Sequence, residues 1–432
     1  MNIYLKVHGC SNNVAEAEMM LGLLKEADFN LVNTPADAFV IILSICAVKR
    51  PSISTALKEI EYFSKEYPHS KLIIAGCIPK QIIGDIRKIA DVSLINTHNI
   101  AKIVEVVEET INDNLVEVMA YEEEPKIALP RLRKNKAISI IPISNSCTNN
   151  CSFCNTRLIK GKFYSFPVEE IIREVKESVE QDCREVWITS QDNACYNLDK
   201  TPVKAEEKVL LPQLLNKICR QIGDFRVRVG MMNPKNVLPI LDELIEAFKH
   251  EKMFKFIHLP VQSGSDRVLK LMKRGHTVED FKKIINKFRE AIPNITISTD
   301  VIAGFPTETE EEFKQTINLI NEIKPDVLNR SRFWPHKGTE AAKLKQVHGN
   351  ETKKRSTHIT SVFDYVSFES NKKWKNWEGY ILIEEKGKEG SFVGRNPSYK
   401  PVVVIGEFEV GDWIKVKINK ITVHYLIGEA IQ

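Results

Sequence analysis

Residues 138–154 read ISIIPISNSCTNNCSFC, and this stretch decides how the rest of the chain is read. A strand-like apolar run, ISIIPI, is followed at once by Cys147, Cys151 and Cys154 in C-x3-C-x2-C spacing. Three thiolates can hold three irons of a [4Fe–4S] cube and leave the fourth iron without a protein ligand, open to chelation by a small molecule. Zinc is the rival reading. A structural zinc asks for four protein ligands, often as paired C-x2-C units, and no fourth ligand is evident nearby. The position suits a site, because in barrels of strand–helix units the active loops gather where strands end.

Outward from this motif, strand-like runs alternate with amphipathic helical patterns. EVWITS, FRVRVG, FKFIHL, TISTDVI and DVLNRSRF follow, ending near Arg332, with stretches such as VEEIIREVKESVE from Val168 between them. Six such units suit an open, partial (β/α)6 barrel better than a complete eightfold one. Upstream, IYLKV, FVIIL, KLIIA and VSLI start at Ile3, Phe39, Lys71 and Val92 and read as a parallel α/β sheet. Residues 121–136, YEEEPKIALPRLRKNK, carry two prolines and charge blocks of both signs and read as a linker. Near the end, YILIEE, SFVGR, KPVVVIG, DWIKVKI and VHYLIGE are punctuated by glycines and read as a small OB-like β-barrel. The expected fold class is therefore α/β, with an N-terminal parallel-sheet domain over 1–125, a central partial barrel over 132–365 and a small β-barrel over 370–432.

Composition sets outer limits. At 432 residues, 43% hydrophobic and 27% charged, the chain is of ordinary globular type. A net charge of +4 permits a nucleic-acid partner without demanding one. The opening MNIYLKVHGC lacks the flanks of a signal peptide, the closing ITVHYLIGEAIQ is strand-like, and no run of 18 apolar residues occurs. A cytoplasmic protein without membrane contact is expected. In that compartment nine cysteines argue for metal ligation or catalysis rather than disulfides.

A second set of cysteines stands out by placement. Cys10, Cys46 and Cys77 each follow a candidate strand within a few residues, in YLKVHGC, VIILSIC and KLIIAGC. The C-terminal ends of parallel strands line one edge of a sheet, where ligand sites form. Free cysteine is often a small buried hydrophobe, but the pattern repeats three times and favours a second three-thiolate cluster. Cys183, Cys195 and Cys219 read as ordinary residues.

The C-x3-C-x2-C loop resembles that of the radical S-adenosylmethionine superfamily. Together with GCSNNVAEAE, SICAVK and AGCIPKQ, with HLPVQSGSDRVLKLMKRGHT from His258 and with TDVIAGFPTETEEEF from Thr299, the whole chain resembles the radical methylthiotransferases. The stretches TRLIKGKFYSFP, TSQDNACY and VGMMNP are most like the archaeal and eukaryotic branch that acts on threonylcarbamoyladenosine in tRNA. Departures are Lys160 where arginine is usual, Asn193 where threonine is common, and Glu340 for a proline. The resemblance implies a radical barrel, a C-terminal TRAM domain and two [4Fe–4S] clusters, the auxiliary one on Cys10, Cys46 and Cys77. It implies S-adenosylmethionine both as radical source and as methyl donor, a tRNA anticodon loop as partner, and an electron donor such as ferredoxin or flavodoxin. A monomer is expected. The same chemistry on isopentenyladenosine or on a ribosomal-protein aspartate, and an RNA-binding iron–sulfur protein without catalysis, are the alternatives.

Further site residues follow from strand ends. Phe153 could pack beside a bound adenine. Gln191 and Asp192 end the second barrel strand and face either the cofactor or, for Asp192, a helix N-cap. Gln262, Ser263 and Gly264 follow the fourth strand, with Gly264 allowing close approach of the cofactor. Gly304 and Phe305 end the fifth and could touch the adenine, or simply turn the chain. Arg330 and Arg332 alternate on the sixth; if their side is the barrel interior, they could hold a carboxylate such as that of the threonylcarbamoyl group. Over residues 372–432 ten Lys/Arg stand against eight Asp/Glu, and Trp374, Trp377, Tyr399 and Trp413 are possible base-stacking residues. Should that domain not bind RNA, Arg131, Arg133, Lys134 and Lys136 of the linker are the fallback.

Overall fold

The computed structural model describes residues 1–46, 50–122, 126–199 and 209–431. They fall into two compact units: residues 1–134, 140–147 and 155–174 in one, and residues 135–139, 148–154 and 175 onward in the other.

The first unit is built on an all-parallel sheet of order β2-β1-β3-β4-β5-β6. Its strands are β1 (Asn2–Val7), β2 (Asn30–Leu31), β3 (Val40–Cys46), β4 (Lys71–Cys77), β5 (Ser93–Asn96) and β6 (Glu117–Val118). Side chains alternate between faces. Val40, Ile42, Ile73 and Ala75 pack with Met19, Met20 and Leu24 of α1 (Ser11–Glu26) and with Val106 and Val107 of α4 (Ile103–Ile111). Ile41, Leu43, Ile45 and Ile74 pack on the other face with Ile60 and Phe63 of α2 (Arg50–Glu66) and with Ile82 and Ile86 of α3 (Lys80–Arg87). Both faces are covered, which is why the central strands read as unbroken apolar runs. The edge strands β2 and β6 are two residues each and leave no such run.

The linker reading of 121–136 needs correction. Lys126 is buried, Arg131 donates to the Ile140 carbonyl at 2.6 Å, and the guanidinium groups of Arg131 and Arg133 both meet Glu174, at 3.1 and 3.3 Å. With side chains only 2% and 9% exposed, these two arginines are spent on internal charge and offer nothing to a phosphate backbone. Residues 123–125 of the stretch lie outside the described residues.

The division between the units runs through β7 (Ile138–Pro142). Beyond it, β8 (Ser144–Asn145) and β9 (Tyr164–Ser165) form a short antiparallel pair in the first unit, flanking α5 (Thr156–Lys160). The second unit carries β10 (Glu185–Thr189), β11 (Arg226–Val229), β12 (Phe256–His258), β13 (Thr296–Ala303) and β14 (Val327–Arg332). They make two three-stranded sheets, β11-β10-β7 and β12-β13-β14. A bridge from Val227 to Met253 and the Met232 amide on the His258 carbonyl at 2.9 Å continue one into the other. The result is an open barrel of six strands, all six at the places read from the sequence.

The second unit also contains a closed barrel of order β15-β16-β17-β19-β18, made by β15 (Glu378–Lys386), β16 (Ser391–Arg395), β17 (Pro401–Ile405), β18 (Trp413–Ile421) and β19 (Leu426–Ala430). Ile381, Ile383, Val402, Val404, Val416 and Ile418 fill it. Trp374 belongs to this core, with Trp377 edge-on to it. Tyr399 is buried against Phe254 and Phe256, and the Trp413 ring is covered by the Arg226 guanidinium at 4.6 Å. Three of the four aromatic residues read as stacking platforms are thus occupied by packing, and Trp377 is shared with the core. Among the described residues the large exposed hydrophobic side chains of this barrel are Tyr380, Ile405 and Tyr425.

Candidate functional site

In the first unit the sheet ends bring three cysteines together. The β3–β4 register pairs Cys46 directly with Cys77. Cys10 is the N-cap of α1, the residue that turns the chain from β1 into the helix. Gly9 makes the approach possible: at φ +145°, a Cβ there would lie 2.7 Å from the Cys46 Cβ. Asn13, one helical turn into α1, locks the group. Its Oδ1 accepts from the Cys10 thiol at 3.3 Å, and its Nδ2 faces the Ile45 carbonyl at 3.2 Å and the Cys77 sulfur at 3.9 Å. Hydrogen bonding with Cys46 brings the Cys10 thiol down to about 6 against the cost of burial, with the Asn13 and Asn12 amides and the Lys160 charge adding to the effect. Cys77 is lowered by the same neighbour, while Cys46, which serves both, is pushed up. Three thiols at one sheet edge, two of them drawn toward thiolate, suit soft iron–sulfur ligation.

Behind the cysteines lies a charged pocket that the sequence did not announce. The Glu16 carboxylate of α1 is buried and receives the Lys160 ammonium at 2.9 Å, the Lys126 ammonium at 3.1 Å, the Thr97 hydroxyl at 2.5 Å and the Asn12 amide at 2.9 Å. Burial opposes its charge, yet the two ammonium groups hold its carboxyl down at about 2. Lys160 also donates to Thr97 Oγ1 at 2.6 Å, and its own carbonyl accepts from Asn145 at 2.9 Å. Position 160 is one of the three departures from the family pattern; its lysine is committed to this pocket.

Cys147 follows Ser146, whose hydroxyl donates to the Gly161 carbonyl at 2.7 Å within the first unit. Cys151 and Cys154 belong to the second, and all three thiols of the loop are half-buried. Ser152 fastens the loop: its amide donates to Met272, its hydroxyl to Leu271, and its carbonyl accepts from Ala341, at 3.0, 2.6 and 2.9 Å. Phe153 packs with Phe305, Val268, Met272 and Ala341. Arg274, buried and anchored on the Pro260 carbonyl at 2.6 Å, points a guanidinium N–H at the Cys151 sulfur at 3.4 Å. Nothing in the segment LMKRGHT announces this role, because an arginine there looks like any surface cation.

The remaining residues sort themselves by what they touch. Asp192 caps the turn Asn193–Cys195 through the Ala194 amide at 3.1 Å, and its carboxylate also receives the Asn233 amide, Asn236, and Asn149 of the cysteine loop. The capping reading holds, and the carboxylate braces the loop. Gln191 keeps a buried side-chain oxygen that meets no donor among the described residues. Gln262 has φ +77° and bridges to Val301, and Ser263 is buried and accepts from the Ser265 amide at 3.2 Å. Gly264 makes room for a helix: a Cβ there would meet Thr316 Cα at 2.5 Å, inside the helix Glu310–Ile323. That corrects the expectation of close cofactor approach. Gly304, at φ +70°, turns the chain with its amide on Glu308 at 3.1 Å, and Phe305 is buried in the apolar cluster with Phe153.

Arg330 and Arg332 do not face the interior. Register puts them on the face of Val301 and Ala303, and Arg330 reaches Ser356 of the helix Gly349–Asn371 at 2.9 Å. The opposite face carries His258, Asp300 and Asn329, joined by hydrogen bonds of 2.8 Å each, and Ile302 beside the Phe153 cluster. The condition set for the two arginines therefore fails, and the polar inner face is held by this trio.

Comparisons with known proteins agree with these features. Residues 141–320 match the Radical SAM superfamily, residues 380–431 the TRAM domain, and residues 2–97 the Uncharacterized protein family UPF0004. A probable threonylcarbamoyladenosine tRNA methylthiotransferase of Methanothermobacter thermautotrophicus is 36% identical over 430 residues, spanning 99% of either chain. The threonylcarbamoyladenosine tRNA methylthiotransferase of Homo sapiens is 33% identical over 440 residues, 99% of this chain and 74% of that protein. The structure of the radical S-adenosylmethionine methyltransferase TsrM from Kitasatospora setae, with cobalamin and a [4Fe–4S] cluster bound, shares the fold at a TM-score of 0.55 and 13% identity, over 77% of this chain and 74% of that one.

Proposed function

Because the chain belongs to the threonylcarbamoyladenosine tRNA methylthiotransferase family of radical S-adenosylmethionine transferases, we propose that it adds a methylthio group to carbon 2 of N6-threonylcarbamoyladenosine beside the tRNA anticodon, using two [4Fe–4S] clusters. The observation that carries the second cluster is the convergence of Cys10, Cys46 and Cys77 around Asn13 at one sheet edge. Cys147, Cys151 and Cys154 would hold the other. When bound there, a cluster with one open iron would supply the one electron that splits S-adenosylmethionine into methionine and a 5′-deoxyadenosyl radical, and the auxiliary site would supply sulfur.

The chain's own contribution is placement and charge. Ser152, Asn149 and Asp192 fix the cysteine loop, and the Arg274 guanidinium aims an N–H at the Cys151 sulfur. Phe153 and Phe305 supply an apolar wall for an adenine, and the unmet Gln191 oxygen is a ready acceptor for a cofactor N–H. His258, Asp300 and Asn329 line the inner face for polar groups of the splayed-out nucleoside. An electron donor of ferredoxin or flavodoxin type is required. Among the described residues no helix is long and apolar enough to cross a membrane; a cytoplasmic monomer of three modules, 1–125, 132–365 and 370–432, is the form proposed. The test is reconstituted protein given tRNA bearing threonylcarbamoyladenosine, tRNA bearing isopentenyladenosine, or ribosomal protein, with products read by mass spectrometry. A methylthio product on the first alone is expected; a product on another substrate alone would reassign the enzyme.

A further inference from the structure

The pocket behind Cys10, Cys46 and Cys77 does not balance its own charge. Two ammonium groups, Lys160 and Lys126, share one carboxylate, Glu16, and their side chains are only 4%, 7% and 4% exposed. The nearest histidine, His98, is held neutral by burial; its Nε2 lies 3.0 Å from the Ile159 carbonyl. A buried excess cation is costly unless an anion completes it. The other anions whose charge reaches Lys160 are the thiolates of Cys77 and Cys10, which Asn13 contacts beside Asn12 of the Glu16 pocket. Burial pulls the Lys126 ammonium down, whereas the Cys77 and Glu16 charges push the Lys160 ammonium up against its burial, so Lys160 is the firmer of the two cations.

We propose that Lys160, seconded by Lys126, is a positioning residue for the auxiliary site: its buried charge offsets the negative charge of a three-thiolate iron–sulfur cluster there and raises that cluster's reduction potential. The inference rests on the two-cluster reading above. Its geometry is specific. Lys160 is held by Glu16 at 2.9 Å and Thr97 at 2.6 Å, and its backbone is pinned by Asn145 at 2.9 Å, so the ammonium is fixed inside the pocket. Arginine keeps the charge, and a neutral side chain of similar length does not.

The test uses full-length protein in which Cys147, Cys151 and Cys154 are alanine, so that only the auxiliary site can carry iron. Its cluster is titrated potentiometrically under spectroscopic observation, without tRNA or turnover. Adding Lys160→Met should lower the reduced-to-oxidised ratio at a fixed potential by about tenfold, or ~59 mV for a one-electron couple. Lys160→Arg should restore it, and Glu16→Gln, which leaves both cations unopposed, should raise it. Loss of iron in Lys160→Met with retention in Lys160→Arg would support the same role. Iron present with an unmoved potential in both Lys160→Met and Glu16→Gln overturns the inference alone. Absence of iron in the triple-alanine parent overturns the two-cluster reading and the inference with it.

Discussion

Gly264 shows how a residue can be singled out correctly and explained wrongly. Glycine after a barrel strand invites the idea of a cofactor passing close by, but the space it leaves is filled by the backbone of Gln315 and Thr316, 2.6 and 2.5 Å from where a Cβ would sit. Gly264→Ala must push that helix outward, and overpacking of this kind costs about 1–3 kcal/mol. Urea unfolding should show the loss; full stability with weakened S-adenosylmethionine binding would return Gly264 to the cofactor. Glu312, on the same helix, gives a pH prediction. Hydrogen bonding to Arg267 at 2.5 Å, aided by the Thr309 amide, holds its carboxyl down at about 2. A depressed carboxyl stabilises the fold above its unfolded value, near 4.5, and loses that contribution as pH falls through about 2. The stability gap between wild type and Glu312→Gln should therefore close across that window; a gap independent of pH would contradict the assignment.

At the scale of elements, parallel strands with both faces covered were legible because they are written as apolar runs: β3 and β4 could hardly be read otherwise. The two-residue strands at the sheet edges bury too little to leave a pattern. The stretch 121–136 failed for a different reason. Its prolines and charges have linker composition, but Lys126 and Arg131 find Glu16 and Glu174, partners more than forty positions away that local sequence cannot reveal. The C-terminal barrel was read correctly as an element and incorrectly as a surface, since alternation says which residues share a face but not which face is covered. Its outward residues relocate the RNA prediction. Tyr380 is 58% exposed and directly opposite Lys415 on β18, also exposed. Tyr380→Ala should cost about 1–3 kcal/mol of tRNA binding with little change in salt dependence, as lost stacking would. Lys415→Gln should reduce the salt slope by roughly 0.7, the share of one phosphate on a single strand. Unchanged affinity in both, by filter binding over a salt series, would move the RNA site off this face. These substitutions are preferable to truncation, because the barrel contributes Lys400 to buried Asp326 at 2.9 Å and Tyr399 to Phe254 and Phe256.

For the molecule as a whole, the two cysteine sets do unequal work in recognition. The loop at Cys147 is local, so spacing alone reveals it; the set at Cys10, Cys46 and Cys77 is assembled by sheet register and becomes visible only when strand ends are aligned. What neither spacing nor pattern could reveal is the surrounding charge: Arg274 at Cys151, and Lys160 and Lys126 behind Cys77. The central claim is a division of labour, with radical generation at one set and sulfur supply at the other. It is tested most directly by replacing Cys10, Cys46 and Cys77 with alanine in the otherwise intact protein. Reconstituted anaerobically, the variant is incubated with S-adenosylmethionine, dithionite and threonylcarbamoyladenosine-bearing tRNA, and both products are quantified by mass spectrometry. The account predicts 5′-deoxyadenosine without methylthiolated nucleoside; methylthiolated nucleoside formed at the wild-type rate would contradict it.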